Sequence, residues 1–495
     1  MARPLARSLA DGLEAQNAVY EKSPARDANL RALRTGAAAV VTGQQTGLFL
    51  GPLYTVYKAA STIRLARWLA EKWGAPVVPV FWLQTEDHDA AEISVCHVAR
   101  GGDEPLTLRV PVSDDAVPVA HRVLPASVTE ALRELGDAVS RLPHGEEHLQ
   151  CLARHYRPRA GWGQAFAGVL ATLFAPEGLV LIDPRDPALA LLASPVHRRA
   201  LTEAAPIARA LAERVRALEA RGWRASVHVR EGAPLSFFHP DGDEGPRFRL
   251  AAAETGFVEV GRSRAHTIGD LLRVLDTRPS AFSTSALLRP ILQDTWLPTA
   301  AYVGGPGEVA YFAQMSPLYA AFDLPMPIVV PRTRLRLVDD ATRRALTRRG
   351  LTAATACGPL DAALTLALAG GAGQPDRDHI AQRLVLGMNR ELDGVAPLVR
   401  EAGERGERAL EKTRRTMARA ADKLQRNVDR ARRLRHRDAV DDIRSLQARL
   451  LPRGIPQERF FGLSSYAARY GQRPFVERIL AAAQPLRIDI EELEL

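Results

Sequence analysis

Two neighbouring stretches decide the fold. They are VVTGQQTGLFLGPLYTVYK (Val40–Lys58) and, further along the chain, VVPVFWLQTEDHD (Val77–Asp89). The first stretch passes from an apolar strand, Ala38–Thr42, through a glycine-rich turn into an amphipathic helix, Leu53–Trp73. The second begins with an almost wholly apolar strand, Val77–Leu83, as expected of a strand buried on both faces of a parallel sheet. A strand, a helix and a second such strand predict a parallel βαβ unit.

Polar residues follow both strands of this unit. Gly43, Gln44, Gln45 and Gly47 come after the first strand, where glycine permits a tight turn and close approach of a ligand to the backbone. The acidic run EDHD, residues 86–89, comes after the second. Ligands of open α/β sheets bind outside the carboxyl ends of the strands, so both loops are predicted to open into one cleft.

A second unit of the same kind begins near residue 283. A helix around Ala286–Trp296 carries Arg289 and Asp294, and the strand Thr299–Val303 runs into the glycine-rich loop Gly304–Glu308. Alternating helices and strands predict an α/β fold with a parallel-sheet core.

The segments between and after these units have other patterns. Short strands separated by turn residues predict a small β-rich insertion; they are Ser226–Val229, Leu235–Phe238, Arg247–Leu250 and Gly256–Val260. With 495 residues the chain is too long for one core. The predicted segments are a first core part (1–200), the insertion (201–282), a second core part (283–375), a coiled-coil helical hairpin (376–450) and a segment packing back on the core (451–495).

The coiled coil is predicted from a seven-residue repeat. One row consists of Leu410, Met417, Leu424 and Ala431, and the complementary row of Thr413, Ala420, Asn427 and Leu434. Gly403 and Gly406 interrupt the helical run. We therefore expect two antiparallel helices, Asp376–Ala402 and Glu407–Leu450.

Composition and charge narrow the class of protein. Hydrophobic residues make up 46% of the chain, and no apolar run reaches the roughly 18 residues that a membrane span needs. Cys96, Cys151 and Cys357 lie far apart without a C-x-x-C pair, which predicts a reducing cytoplasmic setting, no disulfide framework and no metal site.

Basic charge is concentrated in one element. The net charge is +9, and residues 404–449 hold 15 Lys/Arg against 8 Asp/Glu. A basic helical arm leaves an RNA-binding protein as an alternative function, although acidic residues are mixed in and no aromatic residues alternate with the basic ones. A scaffold whose core has lost its activity is a third hypothesis.

Five motifs together resemble the bacillithiol biosynthesis cysteine-adding enzyme family, the cysteine ligases. They are VTGQQTGLFLGPLYTVYK (Val41–Lys58), PVFWLQTEDHD (Pro79–Asp89), LRPILQD (Leu288–Asp294), PTAAYVGGPGE (Pro298–Glu308) and PQER (Pro456–Arg459). The resemblance covers nearly the whole chain, with one departure at Thr46, where the family pattern has Pro or Ala.

The resemblance implies a fold and a reaction. The implied core is Rossmann-like, of the nucleotidylyltransferase type, with two connecting insertions and a C-terminal coiled coil that forms a homodimer. The implied reaction joins the carboxyl group of cysteine to the amine of glucosaminyl-malate. A carboxylate must be activated before it acylates an amine, commonly as an acyl-adenylate, so ATP and Mg²⁺ are the cofactors to test.

The acidic loop has three interpretations. His88, flanked by Glu86, Asp87 and Asp89, could be the general base that takes a proton from the incoming ammonium group. The carboxylates could instead bind the substrate amine or Mg²⁺. A polar turn without chemistry is the third, and the sequence leaves open which aspartate faces the site.

The two glycine-rich loops could bind anions or be structural turns. Backbone N–H groups at a helix N-terminus can hold phosphate, Lys58 could offset phosphate or malate charge, and Arg289 could bind a carboxylate unless Asp294 is its salt-bridge partner. The predicted binding residues are Gly43, Gln44, Gln45, Gly47, Lys58, Arg289, Asp294, Gly305, Gly307, Glu308, Gln457 and Arg459.

Overall fold

The structure, a computed structural model, describes residues 3–100, 103–225, 227–369 and 380–495. The chain forms two compact units, the first comprising Met1–Leu335 with Glu458–Glu491 and the second Arg336–Gln457 with Glu492–Leu495. Within the described ranges, no helix is both long enough and apolar enough to cross a membrane.

A parallel five-stranded sheet lies at the centre of the first unit. Its strands are β1 (Ala38–Gln44), β2 (Val77–Leu83), β3 (Val180–Ile182), β4 (Thr299–Gly304) and β5 (Ile328–Pro331). They are arranged in the order β5-β4-β1-β2-β3, and every neighbouring pair is parallel. The predicted α/β fold with a parallel-sheet core is confirmed.

The strands β1 and β2 lie at the centre of the sheet because their residues are mostly apolar. Every residue of β1 and β2 is buried, as expected where helices cover both faces of a sheet. Pro79, which cannot donate a backbone hydrogen bond, lies just before the part of β2 that pairs with β3, Val80–Trp82.

The helix that follows β1 spans Tyr54–Trp73, one residue shorter than predicted. Gly74 ends it in the left-handed conformation at φ 62°, as is common for glycine at this position. Before the helix, Phe49 and Leu50 also have positive φ values of 51° and 71°. Both side chains are fully buried, so packing holds this unusual turn in place.

A second, antiparallel sheet covers the carboxyl ends of the central strands. Its strands, in spatial order, are Phe282–Thr284, Ser236–Phe238, Phe248–Ala253, Gly256–Glu259 and Ala265–His266. Three of the four strands predicted for the insertion are thereby confirmed.

The fourth predicted strand is wrong. Ser226 lies outside the described residues, and residues 227–229 join none of the described sheets. The alternation behind the prediction is real, because Val227 and Val229 are half-buried while His228 and Arg230 are exposed. It reflects packing of the two valines against the apolar core of the first unit rather than pairing with another strand.

The remaining elements of the first unit surround these sheets. Strands Val95–Arg100 and Asp103–Arg109 form an antiparallel pair. The other helices are Arg7–Ala18, Pro24–Arg34, Ala90–Ile93, Val128–Val139, Gly145–His155, Trp162–Leu173, Ala190–Thr202, Ala204–Glu219, Ile268–Thr277, Leu288–Trp296, Pro306–Phe312, Ser316–Ala321, Ser464–Tyr470 and Gln472–Ala482.

The second unit is mostly helical. Its helices are Asp340–Arg349, Ala353–Ala356, Leu360–Leu368, Ile380–Arg400, Gly403–Arg435 and Arg437–Leu450. The last helix supplies Val440, Ile443, Leu446 and Leu450 to a small apolar core of this unit.

The predicted antiparallel hairpin is formed by Ile380–Arg400 and Gly403–Arg435. Arg414 pairs with Asp393, and the Ala381 N–H donates to Gln425, which together define the antiparallel register. The predicted start of the first helix at Asp376 lies outside the described residues, and the second helix is divided at His436.

Gly406 was predicted to interrupt the helix, and this prediction is wrong. Only Gly403 is at the turn, with φ 63°, whereas Gly406 lies inside the helix. A Cβ atom at Gly406 would lie 2.1 Å from the carbonyl oxygen of Val399. Glycine is needed there because the two helices approach closely.

The predicted seam of the hairpin is only partly correct. Leu410 and Thr413 are half-buried as predicted, but Leu424 is 46% exposed and Met417 36% exposed, whereas Ala421 is only 4% exposed. Small residues, Gly406 and Ala421, are the most buried residues of the second helix, and Met417 and Leu424 face solvent. Small side chains let two helices approach closely, which the leucine spacing alone could not indicate.

Candidate active site

A cavity of about 780 Å³ opens at the carboxyl ends of β1, β2 and β4 in the first unit. The antiparallel sheet supplies its opposite wall through Phe237, Arg247 and Arg249. The cavity brings together the predicted residues Gln44, Gln45, Lys58, Glu86, Asp87, His88, Arg289, Gly305, Gly307, Glu308 and Arg459. Loops that follow neighbouring parallel strands thus converge, as expected for this fold.

Gly43 and Gly47 do not line the cavity and instead allow close packing beneath it. A Cβ atom at Gly43 would lie 3.1 Å from the Trp82 carbonyl oxygen, and one at Gly47 would lie 3.0 Å from Gly51 Cα. Both distances are shorter than ordinary carbon contacts, so only glycine fits without a shift of the loop.

Asp89, Asp294 and Gln457 also lie away from this cavity. Asp89 accepts a hydrogen bond of 3.0 Å from the Glu92 N–H and caps the short helix Ala90–Ile93. It lines a smaller neighbouring cavity instead. Asp87 is therefore the aspartate that faces the main cavity.

Asp294 is not the salt-bridge partner of Arg289. Its carboxylate accepts hydrogen bonds from Tyr319 at 2.5 Å and from the side chain of Gln293 at 2.8 Å. Burial raises the pKa of Asp294 to about 6. Because this carboxyl group is buried among neutral donors, its contacts are those of a structural residue.

Gln457 belongs to the second unit. Its side chain accepts a hydrogen bond from the Leu337 N–H and donates to the Leu337 carbonyl, at 3.3 Å, and to the Arg449 carbonyl, at 3.1 Å. These contacts hold two backbone segments of that unit together.

Asp87 is at the centre of the acidic side of the cavity. Its carboxylate accepts hydrogen bonds from Gln45 Nε2 at 2.5 Å, from the His88 N–H at 2.8 Å and from Arg247 at 2.6 Å. Burial alone would raise the pKa of Asp87, but Arg247 and the two hydrogen-bond donors lower it below the ordinary value. Asp87 is therefore a carboxylate at neutral pH.

His88 is held by the same arginine. Arg247 Nε donates to His88 Nδ1 at 2.7 Å, and the guanidinium group lies 4.2 Å from the centre of the Phe237 ring. Burial and the adjacent Arg247 charge lower the pKa of His88, so the imidazole is neutral at pH 7.

Glu86 connects the acidic loop to the antiparallel sheet. Its carboxylate accepts hydrogen bonds from the Thr284 N–H at 2.9 Å and from the Thr284 hydroxyl. Burial raises the pKa of Glu86 above its ordinary value, and the Thr284 bonds oppose the rise.

Lys58 and Glu308 form a second charged cluster in the cavity. Lys58 forms an ion pair with Glu308 and donates to the Gly43 carbonyl at 2.7 Å and to the side chain of Gln44 at 2.9 Å. Burial lowers the pKa of Lys58, and Glu308 opposes this effect. The Gly305 N–H donates to Glu308 at 2.8 Å, so the second glycine-rich loop uses this donor internally.

Arg289 has a different environment from Lys58. It is 6% exposed and donates to the hydroxyl groups of Tyr311, at 2.5 Å, and Tyr302, at 3.3 Å. Neither of these partners is a carboxylate, and the nearest acidic influence is Glu308, which accepts from the Tyr302 hydroxyl at 2.5 Å. A buried cation with neutral partners at a cavity wall suits a carboxylate or phosphate.

Several cavity residues were not predicted, namely Tyr54, Glu92, Arg247, Arg249 and Arg332. Tyr54 lies within the first motif and Glu92 three residues after the second, so both could have been included by position alone. Arg332 forms a bidentate ion pair with Glu458 of the PQER motif, at 2.7 and 2.8 Å. No local pattern marks Arg247, since it reaches Asp87 from a distant part of the chain.

The described residues contain no group of three or more His, Cys, Asp or Glu side chains arranged to hold a metal ion. We therefore assign no metal ligands in this site.

Two family models match the chain. The model of the bacillithiol biosynthesis BshC N-terminal Rossmann-like domain matches residues 2–333. The model of the BshC C-terminal coiled-coil domain matches residues 376–492. The first range contains the cavity residues except Arg459, and the second contains the helical hairpin and Arg459.

Similar proteins come from several bacteria, and each carries the name putative cysteine ligase BshC. The protein of Salinibacter ruber is 32% identical over 94% of this chain and 85% of its own length. The protein of Solibacter usitatus is 33% identical, covering 92% and 84%. The protein of Koribacter versatilis is 34% identical, covering 94% and 85%. These matches give no support to the RNA-binding alternative.

Proposed function

This chain belongs to the bacillithiol biosynthesis BshC family, and on that premise we propose that it is a ligase that joins the carboxyl group of L-cysteine to the amine of glucosaminyl-malate. The product is an amide, and the reaction is the last step in making a low-molecular-weight thiol. All three cysteines of the chain are free, which suits a reducing compartment, and we include the cytoplasm in the proposal.

The observation that carries the proposal is that one cavity is lined by both carboxylates and cations. Asp87 and Glu92 line it, and so do Lys58 and Arg289. Cysteine has an ammonium and a carboxylate group, and glucosaminyl-malate has an amine and the malate carboxylates. A cavity of about 780 Å³ is within the size range of small-molecule sites.

The charges suggest how the substrates are oriented. Arg289 is the group we assign to a substrate carboxylate, because it lines the cavity and its hydrogen-bond partners Tyr302 and Tyr311 are neutral. The reacting amine would then lie toward Asp87 and Glu92, where negative charge favours an ammonium ion.

Activation of the cysteine carboxylate by ATP, with Mg²⁺, is part of the proposal. Arg230, Arg249, Arg289 and Arg459 line the cavity, and within the described part of the chain none of them has an ion pair with a carboxylate. Such guanidinium groups suit phosphate oxygens. ATP, when bound, would supply the group that makes the carboxylate a better acyl donor.

The test is the synthesis of the amide by the purified full chain. We expect product, detected by mass spectrometry, from cysteine and glucosaminyl-malate in the presence of ATP and Mg²⁺, and none when ATP is omitted. Serine and alanine as alternative donors establish whether the thiol is recognised. Failure to form any amide with or without ATP would contradict the proposal.

We also propose that the protein is a homodimer assembled through the helical hairpin. The support is the row of exposed apolar side chains on the second helix, with Met417, Leu424 and Leu434 at 36%, 46% and 71% exposure. A seven-residue apolar repeat facing solvent is typical of a helix that packs on another chain.

A further inference from the structure

We propose that Glu92, and not His88, takes the proton from the substrate ammonium group, while His88 contributes a hydrogen-bond donor through Nε2. This inference rests on the proposed function, since it assigns the proton transfer within that amide-forming reaction. Several cavity side chains could accept a proton, but in most of them the accepting atoms already take part in hydrogen bonds or ion pairs.

The hydrogen bond from Arg247 determines the tautomer of His88. An arginine can only donate, so His88 Nδ1, at 2.7 Å from Arg247 Nε, must be the unprotonated acceptor. The proton of the neutral imidazole is therefore on Nε2. A second proton could be added only at Nδ1, where it would break the bond to Arg247 and place an imidazolium beside a guanidinium.

Both carboxylate oxygens of Asp87 already accept hydrogen bonds. One carboxylate oxygen accepts from both Arg247 and the His88 N–H, at 2.6 and 2.8 Å, and the other accepts from Gln45 at 2.5 Å. Protonating Asp87 would weaken all three bonds. Asp87 can attract an ammonium ion through its charge, but it is a poor acceptor for the proton.

The two deeper carboxylates are excluded in the same way. Glu86 is buried and both of its oxygens are bonded to Thr284. Glu308 is paired with Lys58 and accepts from Tyr302 at 2.5 Å and from the Gly305 N–H at 2.8 Å.

Glu92 differs from these carboxylates. Its side chain lines the cavity and is exposed to it, and no ion pair with Lys, Arg or His holds it in the described part of the chain. Glu92 accepts a hydrogen bond from the neutral Tyr54 hydroxyl, and the charged groups that act on it are Asp89, Asp87 and Lys58. Although solvent reaches it, the cavity walls remove much of its hydration.

That loss of hydration, together with the charges of Asp89 and Asp87, raises the pKa of Glu92 to about 7. A carboxylate with a pKa near the working pH can accept a proton and return it to water.

The step is a single proton transfer. One proton passes from the ammonium nitrogen to a Glu92 oxygen, which leaves a neutral amine with a free electron pair and a neutral carboxyl group. The amine can then attack the activated carbonyl carbon, and the Nε2–H of His88 is available to donate to an oxygen of either substrate.

The experiment compares the pH dependence of kcat/KM for the full chain and its Glu92→Gln and His88→Gln variants. Glutamine at position 88 keeps a donor but cannot titrate. We expect Glu92→Gln to lower kcat at least 100-fold, the lower end of the usual effect of general-base removal, and to abolish the fall in rate below pH 7. His88→Gln should lower kcat about tenfold, as expected for loss of one well-placed hydrogen bond, and should keep the fall in rate below pH 7 (the acidic limb).

The control is Glu71→Gln, an exposed glutamate near the far end of the helix Tyr54–Trp73, which should match the parent chain. Circular dichroism establishes that each variant folds. Loss of the acidic limb in His88→Gln, or its retention in Glu92→Gln, overturns the assignment while amide synthesis by the parent chain stands. If the parent chain neither forms the amide nor binds glucosaminyl-malate, the proposed function and this inference both fail.

Discussion

Gln45 Nε2 lies 2.5 Å from Asp87 Oδ2, so the loops that follow β1 and β2 are joined by a hydrogen bond between neutral and charged side chains. This bond makes one wall of the cavity from residues that are far apart in the sequence. It also fixes the direction in which the Asp87 carboxylate presents its charge.

Replacing Gln45 tests this connection. Gln45→Leu removes the donor but keeps a similar volume, and we expect kcat/KM to fall about tenfold, since a hydrogen bond to a charged group contributes about 1.5–3 kcal/mol. Gln45→Glu should be more harmful because it places a second carboxylate against Asp87. An unchanged kcat/KM in both variants would show that the bond has no part in the reaction.

Arg247→Ala tests the arginine that holds both Asp87 and His88. Because the folded state lowers the pKa of Asp87 below the ordinary value of 3.8, this pair stabilises the fold fully above that value, and the contribution is lost as the pH falls further, through the lower pKa of the folded state. We therefore expect the difference in free energy of unfolding between the parent chain and Arg247→Ala to shrink in acid. Urea unfolding at pH 7 and at a series of decreasing pH values in acid measures it. A difference that stays constant across the series would contradict this account.

Lys58→Met tests the buried ion pair with Glu308. Removing one partner of such a pair costs roughly 3–5 kcal/mol, because the other charge remains buried alone. The double variant Lys58→Met with Glu308→Gln should recover part of that loss, since it leaves no unpaired carboxylate. The midpoint of urea unfolding is the measurement, and equal losses in the single and double variants would contradict the prediction.

Arg289→Lys tests carboxylate binding. Lysine keeps the charge but loses the planar pair of donors, so we expect the KM of one substrate to rise about tenfold with a smaller change in kcat. The substrate whose KM rises is the one whose carboxylate binds here. If neither KM changes, Arg289 has a purely structural role through Tyr302 and Tyr311.

Leu424→Glu tests assembly through the helical hairpin. A charge in the exposed apolar row should disrupt packing between two copies, and we expect the molar mass measured by light scattering to fall from that of a dimer to that of a monomer. Leu191, 69% exposed in the first unit, provides the control, because Leu191→Glu should leave the dimer intact. A parent chain that is monomeric at micromolar concentration would contradict the proposed assembly.

The location of the cavity could be predicted from local sequence patterns. The carboxyl ends of parallel strands lie at one edge of a sheet, so apolar strands followed by Gln45, His88 and Glu308 were enough to predict one shared cleft. The roles within the cleft were not predictable, because they depend on bonds that cross the fold. Arg247 reaches Asp87 from a segment 160 residues away, and no spacing in the sequence connects the two.

The helical hairpin shows the opposite difficulty. The seven-residue repeat correctly predicts a helix, and Leu410 is half-buried as expected, but Met417 and Leu424 of the same row face solvent. Ala421 and Gly406 form the close inner face because two helices can approach only where side chains are small. A seven-residue apolar repeat predicts that one face of the helix packs on another helix, but it does not identify that helix.

The antiparallel sheet helps to assemble the site, although its strands come after the acidic loop in the sequence. Through Arg247 and Thr284 it orders the acidic loop of the central sheet, so a chain shortened to its βαβ units would keep the glycine-rich and acidic loops and lose their orientation. During synthesis on the ribosome, the reactive centre would mature only after residue 284 has emerged, well after β1 and β2 are complete.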